Sequence, residues 1–311
     1  KLRSGLEFHD GKPVTSADVV ASLKRWASRD AMGGVLNTFI DRYETPSADT
    51  FRMVLKEPCG IVLDALGKAS SNVPFIMPER IANTPGTEQI KETVGSGPFI
   101  FKADEFQPGV KAVYVRNPKY KARNEPSSAM AGGRQVNFDR VEWVIIRDPQ
   151  TQFNALKAGE VDMIEQPAFE QYNTLKQTAG VKVIDFSPAG LAFIMRFNHL
   201  HAPFDNPKIR QAAMMAMGQQ AYIATQVGVP ELGRICRSIY PCGTTYADEN
   251  TGDFTGVPNI AKAKALLAEG GYKGEPIVLM RPTDLASIAK IPLVAKQQLE
   301  AAGFKVDFQQ M

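Results

Sequence analysis

The residues able to do chemistry are few in this sequence, and their spacing limits what they could do. His199 and His201 stand two apart, so on an extended segment both rings would face one side and offer two metal ligands. No third ligand lies near them along the chain, and two loop histidines before Pro203 are ordinarily solvated. His9 adjoins Asp10 and reads either as a polarised imidazole for acid–base work or as a turn residue bonded to its neighbour. Gly95-Ser96-Gly97 superficially suits a phosphate, but Pro98 and a strand pattern follow it where a helix N-terminus would be needed. There is no Gly-x-Ser-x-Gly elbow, and none of the three histidines stands at an obvious strand end, so a hydrolytic triad has little support. Cys59, Cys236 and Cys242 lack the paired spacing of a structural zinc site. Cys236 and Cys242 either meet across the turn at Tyr240-Pro241, which would favour an oxidising compartment, or remain two buried thiols.

Two segments are left as binding candidates. Glu165-Gln166-Pro167-Ala168-Phe169 and Arg281-Pro282-Thr283-Asp284 each follow a strand pattern, and ligands of open α/β sheets collect outside strand carboxyl ends. Each offers polar groups beside apolar ones. Ordinary solvent loops would read the same way.

The elements that must position these residues follow from local patterns. Asp10-Gly11 supplies a turn, and Thr15 with Asp18 has the spacing of a helix cap. Val19, Leu23 and Trp26 then recur on one helical face. Residues 51–55 read as a strand and 61–66 as a helix. After the break at Gly95-Ser96-Gly97-Pro98, residues 99–101, 110–115 and 141–146 read as strands. A helix over 149–158, ended by Gly159, and a strand over 161–164 would complete a βαβ unit. Residues 181–186 and 191–197 read as two strands joined by a narrow crossing. A helix from Asn206 or Pro207 to Gln220 presents Ile209, Ala213, Ala216 and Met217 on one face. A capped helix over 259–269, a strand over 276–280, a helix over 287–302 and a strand over 304–308 form a second βαβ unit. Trp26 and Trp143 are expected in cores.

Composition agrees with a packed protein. The 311 residues are 44% hydrophobic and 22% charged, enough for two or three globular units. The net charge is +3 with both signs interspersed, so nucleic acid is not an expected partner. Apolar stretches such as 191–195 and 212–217 fall far short of the roughly 20 residues of a bilayer-spanning helix. Residues 1–8 alternate like a strand in progress, with no initiator Met or signal-peptide core, and 304–308 is a strand pattern close to the last residue. The sequence reads as part of a longer one.

Six motifs, in order, carry a resemblance. They are Leu2-Arg3-x-Gly5-Leu6-x-Phe8-His9-Asp10-Gly11-Lys12-Pro13-Val14-Thr15-Ser16-Ala17-Asp18-Val19, Gly95-Ser96-Gly97-Pro98-Phe99, and Arg116-Asn117-Pro118-x-Tyr120. The others are Ala155-Leu156-x-x-Gly159-Glu160-Val161-Asp162, Asn198 with Ala202-Pro203-Phe204-Asp205 and Ile209-Arg210-Gln211-Ala212, and the run from Asn259 through Ala265-Leu266-Leu267 to Gly270-Gly271-Tyr272. In these the chain resembles the family 5 extracellular solute-binding proteins of ABC importers, the peptide/nickel type, along its whole length. One departure is Ala216-Met217-Gly218-Gln219, where the family often carries an acidic and then a basic residue.

The resemblance implies an α/β, periplasmic-binding-protein-like fold: two α/β lobes with hinge strands plus an additional α+β domain. Residues 1–95 would be the additional domain, 96–187 part of lobe one and 188–311 part of lobe two, with a leader, earlier strands and a C-terminal remainder lying outside this chain. It implies a periplasmic or membrane-anchored extracellular protein that captures a solute between lobes and delivers it, unchanged, to a membrane permease. The alternative is a solute-sensing or chaperone-like module of the same fold that feeds no transporter. Neither enzymatic activity nor a cofactor is implied. Family ligands include peptides, nickel chelates, haem, oligosaccharides, opines and antibiotics, with a peptide the commonest. Position suggests Glu165 and Gln166 from lobe one, Ala189, Gly190, Leu191 and Ala192 on the crossing, and Arg281, Thr283 and Asp284 from lobe two as ligand-binding. In this set Arg281 would meet a carboxylate and Asp284 an amine.

Overall fold

The computed structural model describes residues 1–311 except 69–71, 129–130, 187–189 and 286. The chain forms two compact units, Lys1–Ile145 and Ile146–Met311.

In the first unit, helix α1 (Ser16–Ala27) starts where its cap pattern predicts. The Thr15 N–H and hydroxyl both donate to the Asp18 carboxylate at 2.7 Å, and Asp18 also accepts the Glu79 N–H at 2.7 Å. Asp18 is buried, and these donors compensate the lost hydration of its charge. Val19, Leu23 and Trp26 face a core with Leu36, Ile40 and Ala65. Helix α2 (Ala31–Phe39), strands β1 (Ile40–Ser47) and β2 (Thr50–Leu55) in an antiparallel pair, and short helices α3 (Val62–Gly67) and α4 (Glu79–Ala82) follow. Strands β3 (Phe99–Phe101), β4 (Lys111–Arg116) and β5 (Arg140–Val144) make an antiparallel sheet in that order. Val113 at its centre is fully buried.

Asp30 caps α2 by accepting the Gly33 N–H at 2.8 Å and pairs with Lys68, the two side chains being only 5% and 15% exposed. The hydrogen bond from Lys68, and then that from Gly33, holds the Asp30 carboxyl below its usual range. A carboxylate depressed in the folded state stabilises above its unfolded pKa and loses that contribution as pH falls through the folded value. Asp30→Asn keeps the cap acceptor and removes the charge. It is expected to lower the melting temperature at neutral pH by roughly 5 °C, with the gap to wild type narrowing in acid as the pH falls through the depressed Asp30 value. Thermal denaturation at neutral and acid pH checks this, and a gap that persists in acid would contradict it.

Several expectations are corrected in this unit. Residues 1–8 form no strand beyond an isolated bridge between Glu7 and Pro13, although the turn forms, with Gly11 at φ +82°. Trp143 is 48% exposed, because β5 is an edge strand whose outer face is uncovered in this unit. His9 does not bond Asp10; its ring contacts Gly95 and Gly97.

In the second unit, helix α5 (Pro149–Ala158) is capped by Asp148, which accepts the Thr151 N–H at 2.7 Å, and ends at Gly159 with φ +74°. The predicted strand at 161–164 is absent. Glu160 and Val161 instead donate their N–H groups back to Ala155 O, closing the helix end, so no βαβ unit forms there. The described residues of 181–186 and 191–197 join no ladder either. Helix α6 (Tyr172–Gln177) follows a single 3₁₀ turn at Phe169–Gln171.

Helix α7 (Pro207–Ala216) stops four residues before its predicted end, and α8 (Gln219–Tyr222) restarts after an extended Met217-Gly218. The Gln298 side chain accepts the Gly218 N–H at 3.0 Å and donates to Gly218 O at 3.3 Å, holding that residue out of the helix. The Pro258 ring packs so closely that a Cβ on Gly218 would sit 2.3 Å from its Cδ, which explains the glycine. Helix α9 (Ile260–Glu269) is capped by Asn259 as predicted. Strand β6 (Ile277–Arg281), helix α10 (Ile291–Ala301) and strand β7 (Val306–Gln310) form the predicted parallel βαβ unit, with Ile277 opposite Val306 and Arg281 opposite Gln310. Helix α10 begins later than predicted, just before Pro292, whose missing N–H suits only a first turn. The core joins Ile209, Ala212, Ala213 and Ala216 of α7 to Ala263, Leu266 and Leu267 of α9, with Ile277, Leu299 and Phe304 beneath. Among the described residues no helix is long and apolar enough to cross a membrane.

Candidate functional site

The β6 strand ends at Arg281, and the turn beyond it is built by that strand's own ladder. Met311 N–H donates to Arg281 O at 2.9 Å, and both the Thr283 N–H (2.9 Å) and hydroxyl (2.8 Å) donate to Met311 O. Arg281 donates from Nε to Ala289 O at 2.9 Å and from Nη1 to Gln310 at 3.0 Å, which leaves Nη2 without a partner among the described residues. Two of its donor groups therefore shape the turn. Asp284 is exposed and makes no hydrogen bond or ion pair among the described residues.

Glu165 and Gln166 lie in an irregular segment after α5, both exposed and neither bonded to another described residue by its side chain. Just beyond them, Glu170 pairs with Lys290, whose hydrogen bond holds the Glu170 carboxyl below its usual range. The Lys290 N–H donates to the Gln226 side chain at 3.3 Å, and the Gln171 amide donates to Pro149 O at 2.9 Å. The remaining acceptor of Gln171, its Oε1, is buried without a partner among the described residues. The 165–171 segment and the 281–290 segment are thus tied together in one unit. Exposed pairs like Glu170–Lys290 contribute only about 0–1 kcal/mol, so this tether orients more than it stabilises.

The crossing residues are not tied to these two segments by any bond that Leu191 or Ala192 makes. Leu191 is 75% exposed, and Ala192 is exposed as well. Gly190 adopts φ +79°, and a Cβ there would lie 3.9 Å from the Arg234 guanidinium. Ala189 lies outside the described residues. Sequence reasoning missed Glu170, Lys290 and Gln226, and no local signal could have found an ion pair spanning 120 positions.

Chemically, the uncommitted groups are two carboxylates, Glu165 and Asp284, the Gln166 amide, and one free edge of the Arg281 fork. Such a set suits a ligand bearing an ammonium group, with amide hydrogen bonding along its length. Two cavities in the first unit, about 300 Å³ beside Arg80, Thr84 and Glu92 and about 560 Å³ beside Asn117, Tyr120 and Arg134, are lined by none of these residues. Cys236 and Cys242 are joined in a disulfide, which decides the alternative left open by their spacing, while Cys59 is free. The Gln219 side chain brackets the same loop, donating to Cys236 O at 2.5 Å and accepting the Cys236 N–H at 2.8 Å. Among the described residues no three His, Cys, Asp or Glu side chains gather as metal ligands.

Comparison with known proteins places this geometry. The family described as "Bacterial extracellular solute-binding proteins, family 5 Middle" matches residues 1–311. A Sinorhizobium fredii protein named "Probable peptide ABC transporter periplasmic-binding protein y4tO" is 38% identical over 99% of this chain. The chain spans 58% of that relative's length. Among solved structures, the periplasmic binding protein DppA from Helicobacter pylori, in complex with the peptide STSA, superposes with a TM-score of 0.79 at 23% identity, covering all of this chain and 61% of that one. The oligopeptide-binding protein AppA from Bacillus subtilis, in complex with a nonapeptide, does so with a TM-score of 0.78 at 22% identity, covering all of this chain and 62% of that one. These likenesses show the α/β, periplasmic-binding-protein-like fold that the motifs imply, and with a match along its entire length the chain belongs to the bacterial extracellular solute-binding proteins of family 5.

Proposed function

We propose that this chain is part of the solute-binding component of an ABC importer, working in the periplasm or otherwise outside the cytoplasmic membrane. It captures a peptide or related small organic molecule between two lobes and hands it, chemically unchanged, to a membrane permease. The observation that carries this reading is the 38% identity to a protein named for peptide transport, sustained over 99% of the chain. In the whole protein, residues 1–95 would be the additional α+β domain, 96–187 part of lobe one and 188–311 part of lobe two. Capture works through closure: a ligand that touches both lobes stabilises the closed population by as much as it binds closed better than open.

The residues proposed to hold the ligand are Glu165, Gln166, Ala189, Gly190, Leu191, Ala192, Arg281, Thr283 and Asp284. Asp284 would take the ligand's ammonium, and the Nη2 edge of Arg281 its carboxylate. Thr283, both of whose donors are used by Met311, would position the turn. Mass spectrometry of the solute released by denaturing the full-length protein tests the reading, because it reports both the class of ligand and whether the ligand has been altered.

A further inference from the structure

The Phe8-His9-Asp10-Gly11-Lys12 turn does more than reverse the chain. It is closed by Phe8 N–H to Lys12 O at 2.8 Å and Gly11 N–H to Phe8 O at 2.9 Å, so its backbone is fixed. From it His9 reaches the Gly95-Ser96-Gly97 segment with three groups at once. Its backbone N–H donates to Gly95 O at 2.8 Å, its Nδ1 faces the Gly95 N–H at 3.3 Å, and its Nε2 faces Gly97 O at 3.1 Å.

These partners decide the protonation state. A backbone N–H can only donate and a carbonyl can only accept, so Nδ1 must be bare and Nε2 must carry the proton. The arrangement requires one tautomer of the neutral ring. Gly97 O also accepts the Asn117 side-chain amide at 3.0 Å, and Pro98 O accepts the Asn117 N–H at 2.9 Å, so the segment is pinned between His9 and the buried Asn117.

The surrounding charges are already matched to one another. On the turn itself, Asp10 pairs with Arg80 of α4 at 3.1 Å, and Arg80 also pairs with Glu92 at 2.8 Å. Glu7 pairs with Lys119 beyond β4 at 2.9 Å, and Lys12 has no carboxylate partner among the described residues. None of these carboxylates bonds the ring, so nothing in the site replaces the Gly95 contact when the imidazole takes up a proton.

We propose that His9 is a proton-sensitive latch on residues 95–97. With Nδ1 bare, the ring holds the segment. Proton uptake at Nδ1 sets an N–H against the Gly95 N–H, removes an acceptor and releases one side of the clamp. The bond is therefore made by the ring with Nδ1 bare and lost once Nδ1 carries a proton. The inference stands on the ring's geometry and is independent of the solute-binding reading. For a protein outside the cytoplasmic membrane, where pH follows the medium, the latch would couple acidification to loosening of the 95–98 segment.

The test is nitrogen-15 NMR of histidine-labelled full chain, combined with amide hydrogen exchange at Gly95 corrected for intrinsic rates. At about pH 8 the His9 ring is expected to be the Nε2–H tautomer, and the Gly95 protection factor is expected to fall about fivefold between roughly pH 8 and pH 5. In His9→Gln, whose amide does not titrate, that pH dependence should vanish. The proposal is overturned if the native ring carries its proton on Nδ1 at about pH 8, or if Gly95 protection in the native chain is flat across the same range. It is also overturned if the variant shows the same fall. The tautomer readout needs only the native chain, so failure of the variant to fold leaves the test intact.

Discussion

If the proposed site holds a peptide, Asp284→Lys in the full-length protein is expected to weaken peptide binding roughly 100-fold, or about 2.7 kcal/mol, while leaving folding stability within about 0.5 kcal/mol. The separation of the two effects follows from the structure. Asp284 is exposed and has no hydrogen bond or ion pair to lose among the described residues, so little stability change is expected. Its loss of affinity would come from setting a cation against the ligand's ammonium. Arg281 behaves differently, because truncating it also frees Ala289 O and Gln310, so its variants mix loss of binding with loss of the turn. Calorimetric titration with one peptide, free and N-acetylated, separates the roles. Equal affinity of Asp284→Lys and wild type for the free peptide would remove Asp284 from the site.

Ile209→Ala is expected to destabilise the second unit by about 2–5 kcal/mol. Ile209 is almost fully buried in the seam between α7 and α9, where Ala212, Ala213, Ala216 and Ala263 bring the two helices close. A Cβ on Gly270 would come within 2.6 Å of the Ile209 Cδ1, which shows how tightly the side chain is enclosed. Small neighbours have no side-chain length with which to fill the space left by an alanine, so the cavity term adds to the lost burial. Hydrogen exchange of the α7 and α9 amides under increasing denaturant measures the change locally, and a loss under about 1 kcal/mol would mean that the seam is loosely packed.

What could be read from the sequence is what short-range patterns determine. The Thr15–Asp18 cap, the Val19, Leu23 and Trp26 face, the Gly159 helix stop and the β6–α10–β7 unit each depend on residues within a few turns of one another, and each appears in the structure. Residues 161–164 have a strand composition but join no ladder, because pairing is decided by distant chain and here the helix end captures the Val161 N–H. The break of the 207–220 helix at Gly218 is made by Pro258 and Gln298, which lie 40 and 80 positions away. The candidate site divides the same way. A strand-end rule suffices to find 281–284, but the engagement of Arg281 by Ala289 and Gln310, and the Glu170–Lys290 tie to the 165–171 segment, arise only on folding. Likewise, His9 beside Asp10 suggested a local bond, whereas its partners are 86 and 88 positions off.

On the function proposed above, the full-length protein holds a peptide-like guest without transforming it. Native mass spectrometry after exposure to a mixture of short synthetic peptides, followed by denaturation and weighing of what is released, tests this most directly. One retained ligand per protein is expected, with a free amino terminus and a mass identical to that supplied. Recovery of a cleaved or modified peptide, or retention of none, would contradict it.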